Sequence, residues 1–115
     1  MTVKEAIVKA DDLRPNAISD EHKFRWVYEL EKEIDEMLEL PEVHENPYPK
    51  DAGLSLTFPD DDLYVYWLCI KIDYYNQDTV LYQNDMLVYQ QLLNDIRARH
   101  GRQSFRKPAL TVKTL

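Results

Sequence analysis

The side chains with the greatest potential for metal binding or nucleophilic catalysis in this chain are three histidines and one cysteine. His22, His44 and His100 lack the short spacings, such as H-x-x-x-H, that bring two imidazoles to one metal ion. A zinc site would need three or four such ligands to converge. Cys69 stands alone in an apolar run, where a cysteine usually acts as a small buried hydrophobe. The sequence therefore predicts no metal site, no cofactor and no reactive thiol.

Three consecutive aspartates at residues 60–62 are the second candidate for chemistry. Carboxylates bind Ca²⁺ and Mg²⁺, but the spacing does not match the twelve-residue calcium loop, which needs a glycine at its sixth position. The run follows Pro59 directly, where acidic residues favour the start of a helix. No serine stands in the G-x-S-x-G context of a hydrolase nucleophile. We therefore expect helix capping and no enzymatic activity; a small hydrolase using these acids would also need a pocket.

Charge is unevenly distributed along the 115 residues. The net charge is −7, yet all 21 acidic residues precede Gly101, and the last 14 residues carry four basic residues and no acid. The segment 102–115 is therefore +4 and the remainder −11. An acidic body repels nucleic acid and anionic membranes. A basic end is suited to an acidic surface, such as that of a neighbouring copy.

Two absences bear on the compartment and on the class of fold. The N-terminal sequence lacks the regions of a signal peptide, and no apolar stretch approaches the ~20 residues that span a bilayer. We therefore expect synthesis in a reducing cytoplasm, which agrees with a single cysteine. Only two glycines are present, which argues against glycine-rich phosphate loops and a turn-rich sheet protein.

Four stretches have the apolar spacing of three and four residues that indicates helices. The first starts with Thr2 and Glu5 in capping-box spacing. The second follows Ser19, a good N-cap residue, and ends at Pro41. The fourth ends at Gly101, a good C′ residue.

The third stretch, "LYVYWLCIKIDYYNQD" at residues 63–78, has the residue types of a strand. Its first half does not alternate, and about 15 residues is far longer than the usual strand of roughly five or six. We interpret it as a helix that is apolar nearly all round and hence central and buried. With the fourth helix it should form an antiparallel hairpin. Six tyrosines lie on this hairpin, either in the core or facing another subunit: Tyr64, Tyr66, Tyr74, Tyr75, Tyr82 and Tyr89.

These elements predict a mainly α, four-helix bundle-like single domain at residues 1–101. A proline-rich protruding loop or short β-hairpin at residues 41–59 separates helices 2 and 3, and within it "GLSLTF" alternates like one short strand. A single strand needs a partner from the loop, the C-terminal segment or another chain. Residues 102–115 lack a helical period, so we expect a basic extended arm.

The sequence also resembles a protein family. "VKEAIVKADDLRPNAISDEHKFRWVYELEKEIDEML", the proline-rich middle, and "PDDDLYVYWLCIKIDYYNQDTVLYQNDMLVYQQLLNDI" are similar to head–tail connector, or head-completion, proteins of tailed bacteriophages and prophages. The resemblance covers residues 3–96, and "KIDYYNQD" followed by "YQNDM" is its most specific part. The segment from Arg102 onward has no counterpart in this resemblance.

The resemblance implies a virion structural protein at the head–tail junction, made in the host bacterial cytoplasm. Such proteins are helical bundles that form a homo-oligomeric ring, contact portal and tail-proximal proteins, and extend the channel for DNA without binding a specific sequence. No membrane contact is implied. The residues that we expect at its interfaces are Leu54, Leu56 and Phe58 in the loop, and Phe105, Arg106, Lys107, Leu110 and Val112 in the arm.

A second hypothesis does not use the arm. A small acidic helical module could regulate or inhibit another protein by covering a basic surface. The carboxylates that would do so, Glu29, Glu33 and Glu36, lie off the apolar stripe of the second helix.

Overall fold

The chain forms four helices in the order that its sequence predicts. The computed structural model describes residues 1–40 and 52–114, with side chains up to residue 101. The helices are α1 (Val3–Leu13), α2 (Asp20–Met37), α3 (Asp62–Tyr75) and α4 (Thr79–Thr114). Within these ranges there is no strand, only one isolated β-bridge. The predicted mainly α, four-helix bundle-like fold is confirmed.

α3 is the central helix, because it packs against each of the other three. Buried apolar side chains lie on every side of the helix, as expected for a segment that is hydrophobic all round. The helical interpretation of the aromatic run is therefore correct. The buried apolar residues of α3 are Leu63, Tyr64, Val65, Leu68, Cys69, Ile70 and Ile72.

α1 begins with the predicted capping box. The Glu5 amide donates to the Thr2 hydroxyl at 3.2 Å, and the Thr2 amide donates to the Glu5 carboxylate at 3.3 Å. These bonds satisfy donors that the start of a helix leaves without intrahelical partners. One side of α1 is buried in the core, through Val3, Ala6, Ile7 and Ala10.

The predicted caps of α2 and α3 stand in the cap positions without making the capping bond. Ser19 precedes α2, but its hydroxyl lies 2.6 Å from Nδ1 of His22. Asp61 precedes α3, and its side chain makes no capping bond either. Its neighbour Asp60 instead pairs with Arg99 of α4. Ser19 and Asp60 therefore make side-chain contacts other than helix capping.

α2 and α3 both end in a Schellman motif, in which an amide beyond the helix donates to a carbonyl of its last turn. The residue that makes the turn is left-handed in each case, with φ of 56° at Glu39 and 57° at Gln77. This turn, rather than Pro41, ends α2. The closing bonds run from the Leu40 amide to the Asp35 carbonyl at 2.8 Å, and from the Asp78 amide to the Asp73 carbonyl at 3.0 Å.

The strand predicted at "GLSLTF", within the proline-rich segment 41–59, is wrong. The Leu54 amide donates to the Met1 carbonyl at 3.2 Å, and Gly53 forms its bridge with Thr2, so this segment lies beside the start of α1. The next amide, of Ser55, bonds a side chain rather than a strand. The backbone amides of Leu54 and Ser55 are therefore satisfied without a sheet. Residues 41–51, most of the predicted loop or hairpin, lie outside the described residues.

The predicted extended arm is also wrong over residues 102–114, because α4 continues as a helix to Thr114. Adding turns to an existing helix avoids the cost of nucleation. One interior glycine costs only about 1 kcal/mol relative to alanine, so Gly101 does not end the helix. Pro108 removes one amide donor from the ladder.

Candidate functional site

A turn between the loop and α3 displays one large aromatic side chain. Phe58 is 87% exposed. The turn beneath it is closed by two amides, of Asp60 and Asp61, which donate to the Thr57 carbonyl at 2.8 and 3.2 Å. The aromatic ring is therefore presented to solvent from a hydrogen-bonded backbone.

The other two residues predicted for this interface are turned inward. Leu56 is buried in the core, and Leu54 is partly buried against it. Their alternation reflects packing onto the helical body rather than one face of a strand. Of the three, Phe58 alone is available to a partner in this conformation.

A buried polar network fixes the segment that precedes Phe58. The Tyr64 hydroxyl donates to Glu31 at 2.7 Å and accepts from the Leu56 amide at 3.1 Å. The Ser55 amide donates to Glu31 at 3.0 Å, and the Ser55 hydroxyl donates to Asp35 at 2.7 Å. Both acids are buried on α2. The network joins α2, α3 and the displayed turn into one unit.

Sequence reasoning missed this network, although a signal was present. Glu31 and Asp35 fall at helical spacing from Val27, Leu30 and Ile34, on the apolar stripe of α2 rather than on its charged side. An acid among core positions must find hydrogen-bond donors, because burying an unpaired charge is costly. That spacing was sufficient to mark both residues as buried.

A groove lies between the displayed turn and α4. Its volume is about 650 Å³. Acidic, basic and apolar residues line it, and Asp60 and Arg99, which form an ion pair, are among them. The lining residues include Pro59, Asp60, Asp62, Tyr66, Val88, Leu92, Asp95 and Arg99.

A second buried charge cluster ties the end of α1 to the hairpin. The Arg14 guanidinium donates to Asp73 at 3.1 Å and to both oxygens of Asp85 at 3.1 and 2.9 Å. Burial and, after it, the nearby Asp85 carboxyl raise the pKa of the Asp73 carboxyl to about 7, against the opposing effect of Arg14. With both acids ionised, the cluster carries one uncompensated negative charge.

The α3–α4 corner carries exposed aromatic residues. Tyr74 and Tyr75 are 69% and 55% exposed, whereas Tyr64 and Tyr89 are buried. The tyrosines of the hairpin are therefore divided between the core and the surface. Tyr82 of α4 lies beside Tyr74, with 6.5 Å between ring centroids.

The residues considered first for catalysis and metal binding have ordinary surroundings in the described part of the chain. Cys69 is buried, and burial raises the pKa of its thiol to about 12, which leaves it a poor nucleophile. Within residues 1–40 and 52–101 no group of three or more histidine, cysteine or acidic side chains could hold a metal ion. His44 lies outside the described residues.

The five interface residues predicted in the C-terminal segment lie on the last part of α4. Its backbone is helical there, and their side chains are outside the described set. These residues are Phe105, Arg106, Lys107, Leu110 and Val112. Their interface role stays a prediction.

Among the described residues, no helix combines the length and apolar character that crossing a membrane requires. Compared with models of protein families, with curated proteins and with solved structures, the chain gives no match.

Proposed function

We propose that this protein is a non-enzymatic structural component of the bacteriophage head–tail junction, which forms a homo-oligomer and docks on portal and tail-proximal proteins. The resemblance of residues 3–96 supports the phage context. The structural observation that supports the docking role is Phe58, 87% exposed on a turn flanked by the buried residues Leu56 and Asp61.

Exposed apolar side chains are common on proteins, so exposure alone does not argue for docking. Phe58 differs because Glu31, Tyr64 and Ser55 hold the adjoining backbone through buried hydrogen bonds. A pre-organised element loses little conformational entropy on binding. Burying the ring of a phenylalanine contributes about 1.5–3 kcal/mol. Phe58 is therefore suited to anchor a protein contact.

In the assembled virion, the ring would lie between head and tail, and DNA would pass through it without sequence-specific contact. The body outside residues 102–115 has a net charge of −11, which disfavours adhesion of DNA. Synthesis in the bacterial host precedes this assembly. No membrane or cofactor has a part in the proposed role.

The test combines analytical ultracentrifugation with binding to portal rings from the same phage or prophage genome. We expect the wild type to form concentration-dependent oligomers and to bind portal rings. Phe58→Ser should weaken self-association, portal binding or both by at least tenfold. Leu87→Ser is the matched control, because Leu87 is also a large exposed apolar residue, at 71%, and lies on α4 away from the turn that bears Phe58. A wild-type protein that stays monomeric at high concentration and does not bind portal rings would refute the proposal.

One observation favours the alternative of a regulatory or inhibitory module. Glu29, Glu33 and Glu36 are all exposed, at helical steps of four and three residues along α2. This acidic stripe could cover a basic protein surface. Changing the three residues to glutamine should abolish binding in that case, whereas truncation after residue 101 should leave it intact.

A further inference from the structure

A small surface cavity at the α3–α4 corner combines aromatic and acidic walls. Its volume is about 280 Å³. Tyr74 and Tyr82 both line it, with their rings inclined at 52° to each other. The cavity is of a size for one long side chain rather than a drug-sized ligand. Its lining residues are Asp73, Tyr74, Gln77, Asp78, Thr79 and Tyr82.

The charges around this corner pocket favour a cation. Asp73 is 1% exposed, and among the described residues its Oδ2 atom has no hydrogen-bond partner, although Asp85 lies near it. Asp78 adds a second carboxylate, of which one oxygen accepts from the Leu81 amide at 3.0 Å and caps α4. Arg14 pairs with Asp73 and Asp85 and leaves the charge of Asp78 uncompensated.

Helix dipoles do not offset this preference. The carbonyl end of α3 and the amide end of α4 meet at the corner, so their partial charges have opposite signs there. The faces of the two tyrosine rings carry negative potential, which attracts ammonium and guanidinium groups. Aromatic faces beside carboxylates are therefore well matched to an arginine or lysine side chain.

The same chain carries a basic segment at the far end of the same helix. Residues 102–115 contain Arg102, Arg106, Lys107 and Lys113 and no acid. α4 runs without interruption from Thr79 to Thr114. At a rise of 1.5 Å per residue, Arg102 lies about 35 Å from the start of the helix. The basic segment cannot fold back into the corner pocket of its own chain.

We infer that the corner pocket binds an arginine or lysine side chain from the basic end of α4 in a second copy of this chain. The inference rests on the self-assembly that we propose above, and it names the two surfaces that meet. Because those surfaces differ, the contact is head-to-tail, and such contacts close into rings or continue as filaments. Tyr74, Asp78 and Tyr82 form the acceptor, and Arg102 and Arg106 are the first basic residues of the donor segment in the sequence.

The first test neutralises each surface and measures self-association by sedimentation velocity. Asp78→Asn removes the charge while keeping a residue that caps helices equally well. We expect Asp78→Asn and Arg102→Gln/Arg106→Gln each to weaken association about tenfold, the loss that corresponds to about 1.4 kcal/mol. Asp12→Asn, an exposed acid on α1, is the matched control and should leave association unchanged.

The second test exchanges the charges. Asp78→Lys alone and Arg102→Glu/Arg106→Glu alone should each fail to assemble, because every contact would join like charges. An equimolar mixture of the two should assemble, since both types of contact are then attractive. Circular dichroism establishes that each variant is folded before mixing.

The outcomes separate this inference from the proposed function. A wild-type protein that assembles, with Asp78→Asn and the arginine variant unaffected, overturns the corner contact and leaves the proposed function standing. A mixture that stays monomeric also overturns it. A wild-type protein that is monomeric at high concentration overturns the corner contact, and together with absent portal binding it overturns both proposals.

Discussion

The Tyr64 hydroxyl lies 2.7 Å from a carboxylate oxygen of Glu31, and both side chains are completely buried. Their contact joins the central helix to α2 at the point where the turn bearing Phe58 begins. Hydrogen bonds to charged groups contribute more than neutral ones, because the charge strengthens the bond. The pair therefore controls both the stability of the fold and the geometry of the displayed turn.

Tyr64→Phe should lower the free energy of unfolding by about 2–3 kcal/mol, because it removes the donor to a buried carboxylate and the acceptor for the Leu56 amide. Urea denaturation at pH 7 measures this change. Tyr75→Phe is the control, since Tyr75 is more than half exposed, and it should alter stability by less than about 0.5 kcal/mol. Equal effects of the two substitutions would contradict the buried network.

Asp73 should make stability depend on pH in a direction unusual for a carboxyl group. Its pKa is about 7 in the folded protein, against a usual value of 3.8. The folded state therefore keeps a proton that the unfolded chain has lost, and stability falls as pH rises from about 4 to about 7. We expect the free energy of unfolding to decrease by on the order of 2 kcal/mol between pH 5 and pH 8.

The matched variant for this pH effect is Asp73→Asn, which keeps the shape of the side chain and cannot ionise. Its stability should change less between pH 5 and pH 8 than that of the wild type, and it should be the more stable protein at pH 8. Denaturation curves of both proteins at four pH values measure the difference. Parallel pH profiles would show that Asp73 is not the titrating group.

Arg14→Met removes the cation that Asp73 and Asp85 share. Two buried carboxylates would then repel each other, and breaking a buried ion pair on one side costs about 3–5 kcal/mol. The loss should be larger at pH 8 than at pH 5, because Asp73 takes up a proton at the lower pH. Arg25→Met, an exposed arginine on α2, should show a small loss with no such pH dependence.

Gln77→Gly should stabilise the protein, because Gln77 holds a left-handed φ of 57° at the end of α3. A residue with a side chain is strained in this region, whereas glycine is not, so we expect a gain of about 0.5–1 kcal/mol. Gln83→Gly in the interior of α4 is the opposing control, with an expected loss of about 1 kcal/mol. Thermal unfolding of both variants shows whether each substitution raises or lowers the stability of the protein.

Local sequence was sufficient to predict the helices, because their signals span only a few residues. Thr2 and Glu5 are three residues apart, and their capping box formed as predicted. The aromatic run of α3 was recognisable as a helix from its length and lack of alternation. The Schellman turns were missed, since neither Glu39 nor Gln77 is the glycine that usually marks one.

The polar contacts could not be predicted because they join residues that are distant in sequence. Glu31 bonds partners 24 and 33 positions away, and Arg14 bonds Asp85 at a separation of 71. The helix and strand propensities of individual residues cannot identify such distant partners. The Leu56 amide also donates to a side chain, the Tyr64 hydroxyl, rather than to a neighbouring strand.

Gly101 is the residue at which local reasoning and the structure differ most clearly, and one substitution distinguishes them. As a C′ residue it would need a positive φ, and alanine there would be strained. Within α4 its φ is not positive, and a Cβ would meet nothing within 4 Å beyond its chain neighbours and the adjacent turns of its own helix backbone. Gly101→Ala should therefore stabilise the protein by about 0.5–1 kcal/mol and increase helical circular dichroism. A loss of stability would instead indicate that the helix ends at residue 100, and the basic segment would then lack the rigid extension that carries it away from its own corner pocket.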